Sequence, residues 1–349
     1  MSEISAPSAD GFMIGDRRIG PGAPCYVIAE IGNNHNGSVD RAIALVDAAT
    51  EAGADCAKFQ MRNLEEVYRA SSLSGADDDL SVEYTLDLLK RFELSTADHR
   101  QVRDYCRAKG INYLCTPWDP SSVRRLDEFG VEAFKVASAD LTNLPLLGAI
   151  VDTGKPIVVS TGMSRRFEIE AAVDFLNARG ARFALLHCQS TYPAAFHNIN
   201  LRFMETLRAI HPLVGYSGHE RGTAITVGAV ALGAIIVERH LTMDRHMEGP
   251  DHAASLEPKE FAALVQGIRE VEEARGVTSV DGERPLSQGE LINRETLAKS
   301  LVASRAIPSG TPITEDDVLV RSPGQGLSPL NLPRLVGRTL SRDLGADDY

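Results

Sequence analysis

The sequence predicts an α/β fold in which a (β/α)₈ TIM barrel precedes a small β-rich domain. From about residue 24 to residue 275, short apolar runs alternate with longer segments of helical period, the pattern of βα units and a parallel sheet. The runs are rich in Val, Ile and Ala, so each strand is expected to be buried on both faces. Eight such runs favour a closed barrel over an open, doubly wound sheet.

The eight predicted strands follow one another through the first 240 residues. They cover residues 25–32, 56–60, 111–117, 133–138, 156–161, 183–188, 213–218 and 234–240. Helical segments lie between them, such as residues 38–54, where Ser38 can cap the first turn and Gly53 can end the helix.

A second region begins where the periodicity is lost, between Gly276 and Gln288. From about Leu301, short β-prone pieces are separated by Pro-Ser-Gly and Pro-Gly turns, which predicts a small β-rich module. We therefore divide the chain into a barrel (1–280), a linker (281–297) and a small domain (298–349). A module of this size has a small hydrophobic core, so we expect it to be stabilised by contact with a partner surface.

The composition narrows the class of protein. A hydrophobic fraction of 43% and a charged fraction of 24% are typical of globular chains. The net charge of -12 and the pI near 5.3 argue against a nucleic-acid or anionic-membrane partner, because both need clustered positive charge. No apolar run suits a signal peptide or the roughly 20-residue span of a membrane helix, so we expect a cytoplasmic protein.

The five cysteines are an odd number without a Cys-x-x-Cys pair. That pattern fits reduced thiols better than a disulfide framework. Cys25, Cys56, Cys115 and Cys188 lie in apolar runs, and we interpret them as small hydrophobic residues rather than nucleophiles or zinc ligands.

Polar residues gather at or just beyond the C-terminal ends of the predicted strands. They are Glu30, Lys58, Lys135, Ser138, Ser160, His187, Ser190, Ser217, His219 and His240. In a barrel all of these ends open onto one face, which is where active sites are built. His219 and His240 end the seventh and eighth predicted strands. Two imidazoles, with water or substrate oxygens as the further ligands, suit Mn²⁺ or a similar ion. A histidine is more often simply hydrogen-bonded, so spacing alone leaves this open.

The two lysines are harder to explain as ordinary residues. Lys58 and Lys135 interrupt apolar strands, where an unpaired cation would cost several kcal/mol. We predict that they face a ligand anion or a carboxylate, and an internal pair with Glu30 or Asp140 is the plain alternative. Strand-end serines could add neutral donors to a phosphate, since the chain has neither a Gly-x-Gly-x-x-Gly motif nor a P-loop.

Seven segments together resemble a known family. They are AEIGNNHNG (29–37), KFQ (58–60), KVAS (135–138), STGM (160–163), HCQSTYP (187–193), ERH (238–240) and GPDH (249–252). Their order and separations closely resemble those of the N-acetylneuraminate (sialic acid) synthase family, from about residue 24 to the end. The last part of the chain resembles the antifreeze-like (SAF) domain of these enzymes.

The resemblance implies a phosphoenolpyruvate-dependent condensation with N-acetylmannosamine, or a phosphorylated or deoxygenated relative, giving a nine-carbon sugar acid and phosphate. It implies a divalent metal on His219 and His240, with Mn²⁺ first and Mg²⁺ or Co²⁺ as alternatives. The implied phosphoenolpyruvate contacts are Lys58, Lys135, Ser138, Ser160, Ser190 and Ser217. The implied residues around the sugar and the reacting carbons are Glu30, Gln60, Asp140, Tyr192 and Asp251. The implied catalytic group is Glu30, Lys58, Lys135, His219 and His240.

The resemblance also implies a domain-swapped homodimer in which each SAF domain covers the partner's barrel. Family members usually carry an arginine where this chain has Ser322, and Arg321 is the candidate substitute. The other departures are Gly218 in place of an aspartate, Ser190 in place of an asparagine and Asn33 in place of an apolar residue. The chain ends at Tyr349, earlier than a complete SAF domain is expected to end.

Three alternatives stay open from the sequence. One is a sister synthase for pseudaminic, legionaminic or another nonulosonic acid. The second is a non-catalytic sugar-binding protein. The third is a metal-free aldolase in which Lys135 or Lys58 forms a Schiff base.

Overall fold

The computed structural model describes residues 10–69, 80–276 and 282–349. Contacts between residues divide the chain into two compact units, Met1–Gly276 and Val277–Tyr349. In the described part of the chain, none of the helices is both long and apolar enough to cross a membrane.

The first unit is built on an eight-stranded parallel sheet. Its strands are β3 (Tyr26–Gly32), β4 (Cys56–Met61), β5 (Asn112–Pro117), β6 (Phe134–Val136), β7 (Ile157–Ser160), β8 (Phe183–Cys188), β9 (Val214–Gly218) and β10 (Ile236–His240). The order across the sheet is β5-β4-β3-β10-β9-β8-β7-β6, and β5 also packs beside β6. All eight predicted strands are therefore confirmed, and with them the barrel.

Helices alternate with these strands and pack their apolar sides against the sheet. They span Val39–Glu51, Leu64–Val67, Leu80–Arg91, Thr96–Lys109, Pro120–Glu128, Leu144–Val151, Arg166–Asn177, Phe203–Ile210, Ala224–Ala231 and Pro258–Arg275. Ser38 caps the first of them as predicted, because its side chain accepts a hydrogen bond from the backbone N–H of Arg41. Gly53 follows two residues after this helix ends, with a φ of 81°.

A hairpin before the barrel was not predicted from the sequence. It consists of β1 (Phe12–Ile14) and β2 (Arg17–Ile19), paired antiparallel. Phe12, Ile14 and Ile19 are buried in one cluster with the apolar residues near the starts of the barrel strands. The hairpin therefore closes the N-terminal end of the barrel, and the C-terminal ends of the strands are left for ligands.

The second unit contains helix Gln288–Leu297, strands β11 (Ser300–Ala303) and β12 (Val318–Arg321), and helix Leu332–Leu335. The two strands lie in the region for which the sequence predicted a small β-rich module, and they pair antiparallel. The first of these helices occupies the second half of the predicted linker 281–297. Ser287 and Glu290 form a capping box that starts this helix. None of its side chains is buried.

A buried ion pair connects the segment just after β9 with β10. The side chains of Glu220 and Arg239 are fully buried, with Arg239 Nη1 3.0 Å from Glu220 Oε1. Tyr216 and Thr226 donate hydrogen bonds to the same carboxylate, at 2.8 and 2.9 Å. A Cβ on Gly218 would lie 2.6 Å from Glu220 Oε2, so this network occupies the space that a side chain would need. That accounts for glycine where the resemblance leads one to expect aspartate.

We predict that Glu220→Gln lowers the free energy of unfolding by about 3–5 kcal/mol, because it leaves the Arg239 charge buried without its counterion. Urea denaturation of the full chain measures this loss. The matched control is Glu170→Gln, which breaks an exposed pair with Arg166 on one helix and should cost under about 1 kcal/mol. Equal small losses in both variants would contradict the prediction.

Candidate active site

The C-terminal ends of the barrel strands surround a cavity of about 360 Å³. All but two of the residues predicted for the site line it. They are Glu30, Lys58, Gln60, Lys135, Ser138, Ser160, Ser190, Tyr192, Ser217, His219, His240 and Asp251. The barrel thus brings together side chains from all along the chain, as the strand-end pattern predicted.

Asp140 does not line this cavity, so the structure does not support its predicted sugar contact. After β6 the chain turns into a short 3₁₀ helix (Ser138–Asp140), and Asp140 Oδ1 accepts a hydrogen bond from Asn143 at 2.9 Å. His187 also lies outside the cavity, with its ring 2.6 Å from the Ile199 carbonyl oxygen. Arg321 is exposed at the end of β12 in the second unit, and its role stays a prediction.

Two lysines and two glutamates form a buried charge cluster on the cavity wall. Lys58 Nζ lies 2.6 Å from Glu30 Oε2 and 3.7 Å from Glu238 Oε2. Lys135 Nζ lies 3.4 Å from Glu238 Oε1 and donates a hydrogen bond to Ser160 at 2.8 Å. Both lysines therefore contact carboxylates and also line the cavity. The internal ion pair with Glu30, which the sequence left open as an alternative, is present for Lys58.

The two carboxyl groups of this cluster differ in their affinity for a proton. Burial raises the pKa of Glu30 to about 7, while the Lys58 ammonium opposes that rise and Glu238 adds to it. Burial acts on Glu238 too, but Lys135 and Lys58 hold its pKa below the ordinary value. Burial lowers the pKa of Lys135, and the Glu238 carboxylate opposes that shift. The cluster thus sets two lysines against one carboxyl group with a lowered pKa and one with a raised pKa, and with both lysines charged it favours a bound anion.

Two imidazoles face the cavity from β9 and β10. The ring centroids of His219 and His240 are 5.3 Å apart. His219 Nδ1 lies 2.8 Å from the Gln189 carbonyl oxygen, which fixes the ring and leaves Nε2 for a ligand. His240 Nδ1 is buried and has no hydrogen-bond partner in the described residues, with Asp251 Oδ2 3.9 Å away. Burial lowers the pKa of His240 well below its ordinary value, which keeps the ring neutral.

This donor set fits a divalent ion bound mainly by imidazole nitrogens. Across residues 10–69, 80–276 and 282–349, no three His, Cys, Asp or Glu side chains are grouped to hold a metal by themselves. An ion here would take its remaining ligands from water or substrate, and such open positions are the mark of a catalytic site. The buried and unpartnered Nδ1 of His240 is the observation that supports the fit.

A polar turn after β3 gives the cavity part of its shape. Gly32, Asn36 and Gly37 have φ values of 51°, 48° and 73°, left-handed conformations that glycine and asparagine tolerate best. A Cβ on Gly32 would lie 2.9 Å from Glu30 Oε1 and 3.0 Å from Gln60 Nε2. Only glycine therefore leaves room for the hydrogen bond from Gln60 to Glu30, which is 2.8 Å long.

Several lining residues were not selected from the sequence. They include Arg62, Thr116, Trp118, Cys188 and Glu238. Glu238 interrupts an apolar strand just as the lysines do, so the same signal could have identified it. Cys188 was interpreted as a hydrophobic residue, and all five thiols are free and buried. Although burial opposes it, the neighbouring His219 lowers the pKa of the Cys188 thiol to about 7.

Comparisons with known proteins agree on one family. The model of the NeuB family matches residues 45–279, and that of the SAF domain matches residues 298–349. The N-acetylneuraminate-9-phosphate synthase of Homo sapiens is 37% identical, covering 95% of this chain and 93% of its own. The N,N'-diacetyllegionaminic acid synthase of Campylobacter jejuni is 36% identical, covering 92% and 97%.

A solved structure shows the same likeness. The sialic acid synthetase of Leptospira borgpetersenii, in complex with citrate, superposes with a TM-score of 0.73 at 33% identity. The match covers 83% of this chain and 98% of that one.

We predict that Lys58→Met raises the pKa of Glu30 above 7, because the ammonium is the main influence opposing burial. Carboxyl carbon shifts of ¹³C-labelled glutamate, followed against pH by NMR, measure this, and Glu30→Gln assigns the signal. Lys155→Met is the control, since that lysine pairs with Asp127 away from the cavity. An unchanged Glu30 titration in Lys58→Met would refute the arrangement.

Proposed function

The chain belongs to the NeuB family, and on that premise we propose that it is a nonulosonic acid synthase, which condenses phosphoenolpyruvate with an open-chain aldose and releases phosphate. One observation carries the proposal: two lysine side chains and two imidazoles line a single cavity at the C-terminal end of the barrel strands. The two lysines suit a substrate with two anionic groups, and the two imidazoles suit a Lewis-acidic ion.

Lys58 and Lys135 neutralise the carboxylate and the phosphate of phosphoenolpyruvate. Hydroxyl groups around them, on the strands or just beyond their C-terminal ends, can donate hydrogen bonds to the same oxygens. The residues that supply these hydroxyls are Ser138, Ser160, Ser190 and Ser217. Gln60, Tyr192 and Asp251 also line the cavity and can form hydrogen bonds with the hydroxyl groups of the aldose.

A divalent ion on His219 and His240, with Mn²⁺ as the first candidate and Mg²⁺ or Co²⁺ as alternatives, would polarise the aldehyde oxygen of the sugar. The protein's own part is to orient the rings. The bond from His219 Nδ1 to the Gln189 carbonyl fixes which nitrogen faces the cavity.

The reaction balances without a further reactant. C3 of phosphoenolpyruvate forms a bond to the aldehyde carbon, and the aldehyde oxygen takes up a proton. Water then adds to C2, and the bond from C2 to the phosphate oxygen breaks. Glu30 is placed to orient this water and accept its proton, since its pKa of about 7 suits proton transfer near neutral pH.

The sugar is left to experiment, because the similar proteins include synthases named for sialic, legionaminic and pseudaminic acids. A panel of aldoses assayed for phosphate release selects among them. A clear preference for N-acetylmannosamine would remove the sister synthases from consideration. A homodimer, with Arg321 in place of the arginine expected at Ser322, remains part of the proposal.

We predict that the protein releases phosphate from phosphoenolpyruvate only with a suitable aldose and a divalent ion, and that EDTA stops the release. His219→Ala and His240→Ala should each lower kcat/KM at least about 100-fold, because several kcal/mol of charge stabilisation are lost. The control is His246→Ala, an exposed histidine outside the cavity, which should leave the rate unchanged.

Other outcomes would support a different function. Full turnover in both cavity histidine variants would count against a metal site. Borohydride trapping of a pyruvate adduct on Lys135 or Lys58, with activity that survives EDTA, would indicate a Schiff-base aldolase. Sugar binding without phosphate release from any aldose would indicate a non-catalytic protein.

A further inference from the structure

Glu220 and Arg239 form their ion pair directly beside the two imidazoles that face the cavity. His219 precedes Glu220 in the sequence, and His240 follows Arg239. Neighbouring side chains on a strand point to opposite faces of a sheet, so Arg239 leaves β10 on the side opposite His240. Its guanidinium donates a hydrogen bond of 2.8 Å to a threonine hydroxyl on helix Ala224–Ala231. The pair therefore lies on the outer, helix-facing side of the sheet, and neither residue lines the cavity.

The backbone pairing between β9 and β10 ends just before the imidazoles. The last paired residues of the two strands are Gly218 and Arg239. His219 comes one residue later, and its backbone carbonyl accepts a hydrogen bond of 3.0 Å from the N–H of Ala194. Arg239 joins the two segments beyond this point, because it contacts the Glu220 carboxylate at 3.0 Å and donates to the Glu220 backbone carbonyl. At the level of the imidazoles, side-chain contacts thus continue the connection that the backbone pairing makes below.

The space around the pair is filled, so its two members have little freedom to move. Tyr216 and Thr226 donate hydrogen bonds to the Glu220 carboxylate, at 2.8 and 2.9 Å. A Cβ on Gly218 would lie 2.6 Å from Glu220 Oε2 and 3.0 Å from Arg239 Cδ. Any side chain at position 218 would therefore displace the carboxylate, and glycine is part of the same arrangement.

We infer that Glu220 and Arg239 are positioning residues for the divalent ion, because their ion pair holds the two imidazoles at the separation that binding one ion requires. The inference rests on the proposed function and identifies the residues that tune its metal site. Two nitrogens can share an ion only if both reach bonding distance, about 2 Å, and a displacement of roughly 0.5 Å is enough to weaken a site. Replacing residues that orient metal ligands typically changes the metal affinity about 10- to 100-fold.

A purely structural role for the ion pair is the competing explanation, since loss of the pair also destabilises the fold. The two explanations differ in the affinity of the folded protein for the ion. A structural role alone leaves that affinity unchanged in every variant that folds, whereas a positioning role requires it to fall. Metal binding without substrate therefore separates them.

The experiment measures the dissociation constant of Mn²⁺ for the full chain by electron paramagnetic resonance of the free ion, without turnover. Glu220→Gln and Gly218→Ala should each weaken binding about 10- to 100-fold. The first removes the charge that holds Arg239, and the second displaces the carboxylate. Leu176→Ala is the control for lost stability, because it removes a fully buried side chain of helix Arg166–Asn177 that does not line the cavity. It should bind Mn²⁺ as tightly as the wild type.

The double variant Glu220→Gln/Arg239→Met separates positioning from stability. It leaves no buried charge without a partner, so urea denaturation should show that much of the stability lost in Glu220→Gln returns. Its Mn²⁺ affinity should stay about 10- to 100-fold below that of the wild type, because the two segments are no longer joined. Wild-type affinity in this folded variant overturns the inference, as does an equal loss of affinity in Leu176→Ala.

His240→Ala shows whether the measured Mn²⁺ occupies the cavity, because it removes one of the two imidazoles. Binding that is lost in His240→Ala and weakened in the ion-pair variants supports the inference. Binding that is lost in His240→Ala but unchanged in the ion-pair variants overturns the inference alone, and the proposed function stands. Binding that His240→Ala leaves unchanged overturns both the inference and the metal site of the proposed function.

Discussion

The structure of the site depends on one carboxylate, that of Glu238, held between two buried ammonium groups. Lys58 and Lys135 each lie within 4 Å of it, and Glu30 is a second carboxylate partner of Lys58. Two buried cations without that carboxylate would repel each other and lose their solvation, a cost of several kcal/mol. With it, the cluster keeps a modest positive charge that a ligand anion can complete. The fold tolerates the cluster because the barrel fixes all four side chains on strands.

Much of this arrangement was accessible from the sequence, because burial leaves a strong pattern. Unbroken apolar runs identified the eight barrel strands, and a lysine inside such a run marked the site. Where no such contrast exists, the sequence was silent or misleading. The β1–β2 hairpin is too short for a periodic signal, and helix Gln288–Leu297 buries no side chain. The direction of Asp140 depends on a 3₁₀ turn, which no spacing of residues reveals.

The departures from the family pattern also have local physical reasons. Gly218 stands where aspartate was expected, and the carboxylate of Glu220 fills the adjoining space and pairs with Arg239. The two imidazoles are next in sequence to the residues of this pair, since His219 precedes Glu220 and His240 follows Arg239, so their backbone is held by a fully buried network.

The hairpin at the N-terminal end of the barrel also affects where ligands can enter. Phe12, Ile14 and Ile19 pack near the N-terminal ends of the strands, so the described residues leave the charge cluster open to ligands at the C-terminal end. Under the proposed function, both substrates would therefore enter, and both products leave, through the same end of the barrel.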